Sequence, residues 1–424
     1  MDAKKARLAI FFTVFVDLLG FGIVIPILPL YAKQVATGPT SHWTGAITGW
    51  MNLQDPGAFW AGVVFVSFSI MQFIATPILG RISDRVGRRP VLWVSLLGSA
   101  LGYLMMALTM RLEWVILARV VDGITGGNIA VAQAAMADGS KPEDRSKVLG
   151  MIGAAFGLGF VLGPALAGIL AGSALGVSLL QNHGWHLPFL VAAGLSFFAS
   201  LLVILWLPET LTPELRAKAQ EKEGRGHALA VALRAKGMPQ LLTIALLAMA
   251  GFSMMEGTFS LMAAARFGFG QKQVGWLFAF VGILIVFYQG GLVRAVAKRV
   301  PERAAIWTGL LGMAIALPLL PALSWKWPFL LILIPLAWGN GMNNTATQAL
   351  ASRLTPPEHQ GSLFGAMGAI QGLGRILGPL AGTFIFAKWG FASPYAVAAG
   401  AVGFAFLLAL SLPRPGRREA APGA

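Results

Sequence analysis

The chain has 424 residues, of which 56% are hydrophobic and 12% charged, with a net charge of +15. Soluble domains carry roughly 25% charged residues, so this composition excludes a soluble globular protein and points to a chain whose solvent is lipid. The basic residues occupy short links between apolar runs, which argues for membrane topology over nucleic-acid binding, and the absence of cysteine excludes disulfides and thiolate metal sites.

A span needs about 20 apolar residues. The sequence predicts twelve of them, at 8–32, 58–80, 90–110, 113–138, 147–173, 187–207, 239–263, 273–297, 305–323, 328–352, 362–387 and 393–412. The first run is too long for a signal-peptide core and lacks a small-residue cleavage site, so no cleavable signal is expected. With the N-terminus inside, the inner segments hold 24 Lys and Arg residues and the outer links 6, while Arg119 and Arg375 lie within spans. That asymmetry places both termini in the cytoplasm. The first outer link, 33–57, contains Trp43 and Trp50 and is expected to form a short helix at the interface. The longest polar link, 208–238, carries mixed charge. It divides the chain into an N-terminal six-helix bundle, 1–207, and a C-terminal bundle with a short cytoplasmic tail, 239–424.

The halves repeat. Gly159, Gly163, Pro164 and Gly168 in span five are echoed by Gly374, Gly378, Pro379 and Gly382 in span eleven, and Gln72 in span two by Gln289 in span eight. A parallel repeat of about half the chain suits a transporter built from two related halves.

Gly80-Arg-Ile-Ser-Asp84-Arg85-Val-Gly87-Arg88-Arg89, between spans two and three, resembles the signature loop of the major facilitator superfamily. Asp17 through Pro29, Arg119 to Gly123, and Gly159 to Gly168 resemble its twelve-span drug:proton antiporter branch, which includes the tetracycline-resistance exporters. The second-half copy of the loop, Gly291 to Arg299, keeps its glycine and positive charge but has no aspartate. The resemblance implies an all-α integral membrane fold of two pseudo-symmetric six-helix bundles, working by alternating access about a midplane cavity. It implies an inner gate in which Asp84 meets the start of span eleven near Ser362 and Arg88 pairs with Asp138. It also implies that Gly159, Gly163, Pro164 and Gly168 form an antiporter motif.

A charge at the centre of a span costs at least ~2.5–3.5 kcal/mol, so each one asks for a function. There are five: Asp17, Arg119, Asp122, Glu256 and Arg375. Asp17 and Asp122 each lie about 14 Å from a span end at 1.5 Å per residue, and Arg119 is one turn from Asp122 on the same face. With spans one and four lining the cavity in this family, Asp17, Arg119 and Asp122 are expected to form one buried cluster that exchanges a proton. Glu256 is expected to titrate or attract cationic substrates, and Arg375 to pair with an acid or an anionic solute. Substrate-cavity candidates are the polar run Trp338, Asn340, Asn344 and Gln348 in span ten, together with Gln72, Asn128 and Gln289. Phe21, Phe252 and Tyr288 add aromatic wall. Such a wall suits an amphipathic organic solute.

These residues predict proton-coupled export of drug-like molecules, as in antibiotic resistance, from a monomer in the cytoplasmic membrane. Its partners are protons, a small-molecule substrate and the bilayer, with no nucleic acid, no metal and no cofactor beyond the coupling proton. Import or facilitated passage of a metabolite on the same fold is the alternative. A membrane enzyme or sensor is remote, because the histidines, His42, His183, His186, His227 and His359, all fall in links with no zinc-type spacing.

Overall fold

The computed structural model describes residues 3–39, 43–138, 145–171, 185–212, 216, 237–288, 300–323, 326–355 and 360–412. Every secondary-structure element among them is helical. Lipid offers the backbone no hydrogen-bond partners, so each crossing segment satisfies its own amides as a helix. In chain order the helices are α1 (Ala3–Ala36), α2 (Trp43–Thr48), α3 (Pro56–Val86), α4 (Arg88–Leu108), α5 (Leu112–Thr125), α6 (Asn128–Asp138) and α7 (Arg145–Ala171). They continue as α8 (His186–Trp206), α9 (Met238–Phe267), α10 (Gln271–Phe287), α11 (Glu302–Ala322), α12 (Lys326–Leu354), α13 (Gln360–Trp389) and α14 (Ser393–Leu410).

Among the described residues ten helices are long and apolar enough to cross a membrane, and α10 is a shorter apolar helix. The twelve-span count also includes α12, whose 29 residues are diluted by Asn340, Asn343, Asn344, Thr345, Thr347 and Gln348. The expected fourth span is two helices, because the chain breaks at Gly126-Gly127 between α5 and α6. The expected interfacial helix in the first outer link is α2, followed by a single 3₁₀ turn at Gly49–Met51.

Helix faces follow the solvent. On α4, Leu92, Leu96, Ser99, Tyr103 and Met106 are buried, while Val94, Leu97, Leu101, Leu104 and Leu108 face outward. Both faces are apolar, so small residues and hydrogen bonds, rather than hydrophobic contrast, decide which packs inward.

The chain divides into two compact units. The first comprises Met1–Glu223, Ser253–Val286 and Arg375–Pro394, so it includes segments of α9, α10 and α13 besides the N-terminal helices. Leu18, Leu92, Val131, Ala155 and Val203 belong to its core, where α1, α4, α6, α7 and α8 meet. The second comprises Gly224–Phe252, Phe287–Gly374 and Tyr395–Ala424. There Trp307 Nε1 on α11 donates to the Ala409 carbonyl on α14 (2.7 Å), and Arg353 on α12 pairs with Glu302 on α11 (2.8 Å).

Candidate functional site

The break in span four builds the buried site of the first unit. Gly126 N–H donates to the Asp122 carbonyl (2.6 Å), and Gln72 Nε2 from α3 donates to the Gly126 carbonyl (2.8 Å). An amide from a neighbouring helix thus satisfies a backbone group that the break would otherwise orphan. The break sets Asp122 in the last turn of α5 and Asn128 at the first position of α6. Gly102 and Gly123 let the partner helices close in: a Cβ on Gly102 would stand 3.0 Å from Asp122 Cβ, and one on Gly123 would stand 2.8 Å from Met71 Cβ.

Within this frame the two carboxylates differ. Asp122 is 1% exposed and Arg119 3%, and Arg119 Nη1 bonds Asp122 Oδ2 at 2.5 Å. The guanidinium also lies 4.3 Å above the Phe68 ring, a cation–π contact. Its Nε is buried with no hydrogen-bond partner among the described residues. Asp17 is only half-buried, and its Oδ2 accepts from Asn128 Nδ2 at 3.0 Å. Among the described residues no cation forms an ion pair with Asp17. It nevertheless lies within the electrostatic reach of Asp122, and Tyr103 is buried within reach of Asp17, Arg119 and Asp122 together. Phe21 extends the aromatic wall, 5.4 Å from Phe68 and 6.2 Å from Phe160 between ring centroids.

The span-five glycines make a seam beside this site. A Cβ on Gly159 would stand 2.7 Å from Leu18 Cβ, and one on Gly163 would stand 2.6 Å from Gly22 Cα, so α7 meets α1 backbone to backbone. Pro164 packs on Gly22 from the same side. Four residues further along α7, Gly168 faces α10, where a Cβ on Gly275 would stand 2.6 Å from Gly168 Cα. Leu18 follows Asp17 directly, so the seam fixes the stretch of α1 that carries the half-buried carboxylate.

The Gly80–Arg89 loop is a compact polar knot. Arg88 is 7% exposed; its Nη2 pairs with Asp84 Oδ1 (2.8 Å), its Nε with Asp138 Oδ2 (3.0 Å), and its Nη1 donates to Ser83 Oγ (2.6 Å). The expected Arg88–Asp138 pair is therefore present in the geometry. The Ser362 side chain lies outside the described residues, as do Gln289 and the loop Gly291 to Arg299. Sequence reasoning missed Glu209. Its carboxylate accepts from the Arg88 N–H (2.9 Å) and the Arg89 N–H (3.1 Å), capping α4, and from the Leu211 N–H (2.9 Å). Gly87 takes φ +119°, and a Cβ there would strike the Glu209 carboxylate. Arg89 Nη2 donates to the Ile204 carbonyl at 2.5 Å, while Arg85 is exposed and Gly80 faces open space.

Elsewhere in the first unit, Glu256 on α9 is half-buried within electrostatic reach of Arg375, an exposed residue on α13. In the second unit, Asn344 Oδ1 accepts from both Gln348 Nε2 (3.0 Å) and Gln371 Nε2 (2.9 Å). Asn340, Asn343 and Thr347 line a small cavity with Asn344 and Gln371. Tyr288 and Trp338 meet edge to face at 5.3 Å, and Phe252 is half-buried. Among the described residues no group of three or more acidic or histidine side chains could hold a metal ion.

The sequence profile of the Major Facilitator Superfamily matches residues 10–334 and 290–424. The class C tetracycline resistance protein of Escherichia coli is 34% identical over 400 residues, covering 91% of each chain. The class D tetracycline resistance protein of Salmonella ordonez is 30% identical over 387 residues, covering 91% of this chain and 90% of its own. The crystal structure of the human organic anion transporter MFSD10 (TETRAN) superposes with a TM-score of 0.69 at 24% identity, covering 96% of this chain and 100% of its own.

Proposed function

The chain belongs to the Major Facilitator Superfamily, and from that premise we propose that it is a proton-coupled antiporter exporting amphipathic, drug-like molecules by alternating access. It is a membrane transporter and not an enzyme. The observation that carries the coupling proposal is the contrast between the two carboxylates. Arg119 supports only the anionic form of Asp122. Asn128 is a neutral amide with both donor and acceptor groups, so by turning it can bond Asp17 either as carboxylate or as carboxylic acid. Asp17 is the proton carrier in this reading, and the Arg119–Asp122 pair is the fixed charge against which its protonation state is felt.

The tetracycline resistance proteins favour export of an amphipathic drug. Each unit offers its own candidate substrate contacts: the amides of α12 in the second, and Phe21 in the first, where Glu256 and Arg375 tune charge selectivity. In this reading the chain crosses the cytoplasmic membrane with both termini inside, which the 24-to-6 excess of basic residues supports, and the six-span halves 1–207 and 239–424 are joined by a cytoplasmic link, 208–238.

Proteoliposomes with an imposed pH gradient test the proposal, with tetracycline as the probe. Antiport predicts tetracycline movement against the proton flow. Asp17→Asn should abolish the gradient-driven component while retaining tetracycline binding. Movement with the proton flow would establish import instead. Undiminished gradient-driven transport in Asp17→Asn would remove the residue from coupling.

A further inference from the structure

The first unit carries a cavity of about 680 Å³ that the coupling site does not use. It lies where α1 and α7 end and α8 and α10 begin, at the helix ends remote from the Gly80–Arg89 loop. Its wall is amphipathic: Leu30 and Trp185 are apolar, Lys33 and Lys272 bring ammonium groups, and Gln271 brings an amide. No acidic residue lines it among the described residues.

Two features give it a sign. Lys272 is exposed, with no ion pair among the described residues. The first turn of α10 begins in the wall, so the positive end of a 17-residue helix adds to the lysines. Lys33 is shared. Outside the cavity its ammonium pairs with Asp55. Asp55 caps α3 by accepting from the Ala58 N–H (3.1 Å), and its own N–H donates to the Ala387 carbonyl at the end of α13 (3.0 Å).

We propose that this cavity binds an amphipathic organic anion, whose acidic head meets Lys272 and Lys33 while its apolar body lies on Trp185 and Leu30. Asp55 and the anion compete for Lys33, so occupancy loosens the tie among α1, α3 and α13. The site is independent of proton coupling at Asp17. Its occupant is either a free organic acid or the headgroup of an anionic phospholipid, since both offer the same chemistry.

The test uses the full chain in nanodiscs of phosphatidylcholine, titrated with 2-naphthoate and followed by its thermal unfolding midpoint, because a bound ligand raises apparent stability. Neutral 2-naphthamide is the control, and nanodiscs containing phosphatidylglycerol form the parallel arm. Naphthoate or phosphatidylglycerol should raise the midpoint. Lys272→Gln should weaken that response about tenfold in apparent affinity, the worth of one charge-assisted hydrogen bond. Lys272→Arg should preserve it, and Asp55→Asn should strengthen it by releasing Lys33. A response to naphthoate alone identifies a free acid, and one to phosphatidylglycerol alone identifies lipid. The proposal is overturned if neither anion stabilises the wild type. It is equally overturned if naphthamide matches naphthoate, or if Lys272→Gln responds as the wild type does.

Discussion

At the Gly80–Arg89 turn one buried guanidinium gathers two carboxylates and a hydroxyl, and a third carboxylate caps the helix that follows. Along the α1–α7 seam the close contacts of Gly22, Gly159 and Gly163 are with backbone and apolar atoms, and Gly22 meets Gly163 backbone to backbone. The first region is held by direction and charge, the second by shape. A polar knot can be undone by altering one partner and partly restored by a similar one. A seam of glycines has no partner to alter and fails as soon as volume is added. The variants that probe this contrast therefore differ in kind as well as in size.

The largest effect is expected at the seam. Gly163→Val places a Cβ 2.6 Å from Gly22 Cα and 2.7 Å from its carbonyl carbon, neither of which can move aside like a flexible side chain. Overpacking against backbone should cost more than about 3 kcal/mol and strip the protein from the membrane fraction, read by yield and by unfolding of whatever is purified. Wild-type stability in that variant would show that the helices separate freely and that shape does not close the seam.

Next comes the knot. Arg88→Gln leaves the half-buried Asp84 and Asp138 without their cation, a change whose cost partial solvation holds below the ~3–5 kcal/mol of a fully buried pair. Arg88→Lys keeps the charge but cannot reach three acceptors at once, so its unfolding midpoint should fall between wild type and Arg88→Gln. Equal loss in both variants would mean that geometry, not charge, holds the knot, and the contrast with the seam would collapse.

These differences explain which parts of the site could be read from the residues alone. Twelve apolar runs and a loop of spaced Gly, Asp and Arg residues are local signals; the helical fold followed from the first, and the second carried the family resemblance that implied the Arg88–Asp138 pairing. Glu209 sits 121 positions from the amide it caps, in a mixed-charge link whose composition signals only exposure. Hydropathy sees Gly126-Gly127 as part of an apolar run, yet the break there depends on a hydrogen bond from Gln72 on another helix. Gln72 and Asn128 read as cavity amides because polarity in a span marks them. Only the three-dimensional fold reveals that one satisfies a backbone carbonyl and the other a carboxylate.

A smaller effect is expected at that distant cap. Glu209→Gln keeps one acceptor oxygen for the α4 N-terminus but removes the negative charge that meets two helix N–H groups and the helix dipole. Loss of such a charge is worth about 0.3–1 kcal/mol, up to ~2 where partly buried, so a small drop in unfolding midpoint is expected with transport largely kept. Gly87→Ala should exceed it, because it combines a clash against the same carboxylate with a φ of +119° that disfavours any side chain. Were Glu209→Gln the worse of the two, the cap would contribute more than the turn it serves.

The smallest effect separates the loop's two glycines. Gly80 lies inside α3 with φ in the ordinary range and open space around the position of a Cβ, so Gly80→Ala is sterically free and gains helix propensity. Its unfolding midpoint should match or slightly exceed the wild type. Transport by the same variant then carries the information. If transport is also unchanged, Gly80 serves neither packing nor the transport cycle, and Gly87 alone accounts for the glycine requirement at this end. If transport falls while stability holds, a helix must approach Gly80 closely in another state of the cycle. The loop would then be shape-closed in that state, as the seam is in this one.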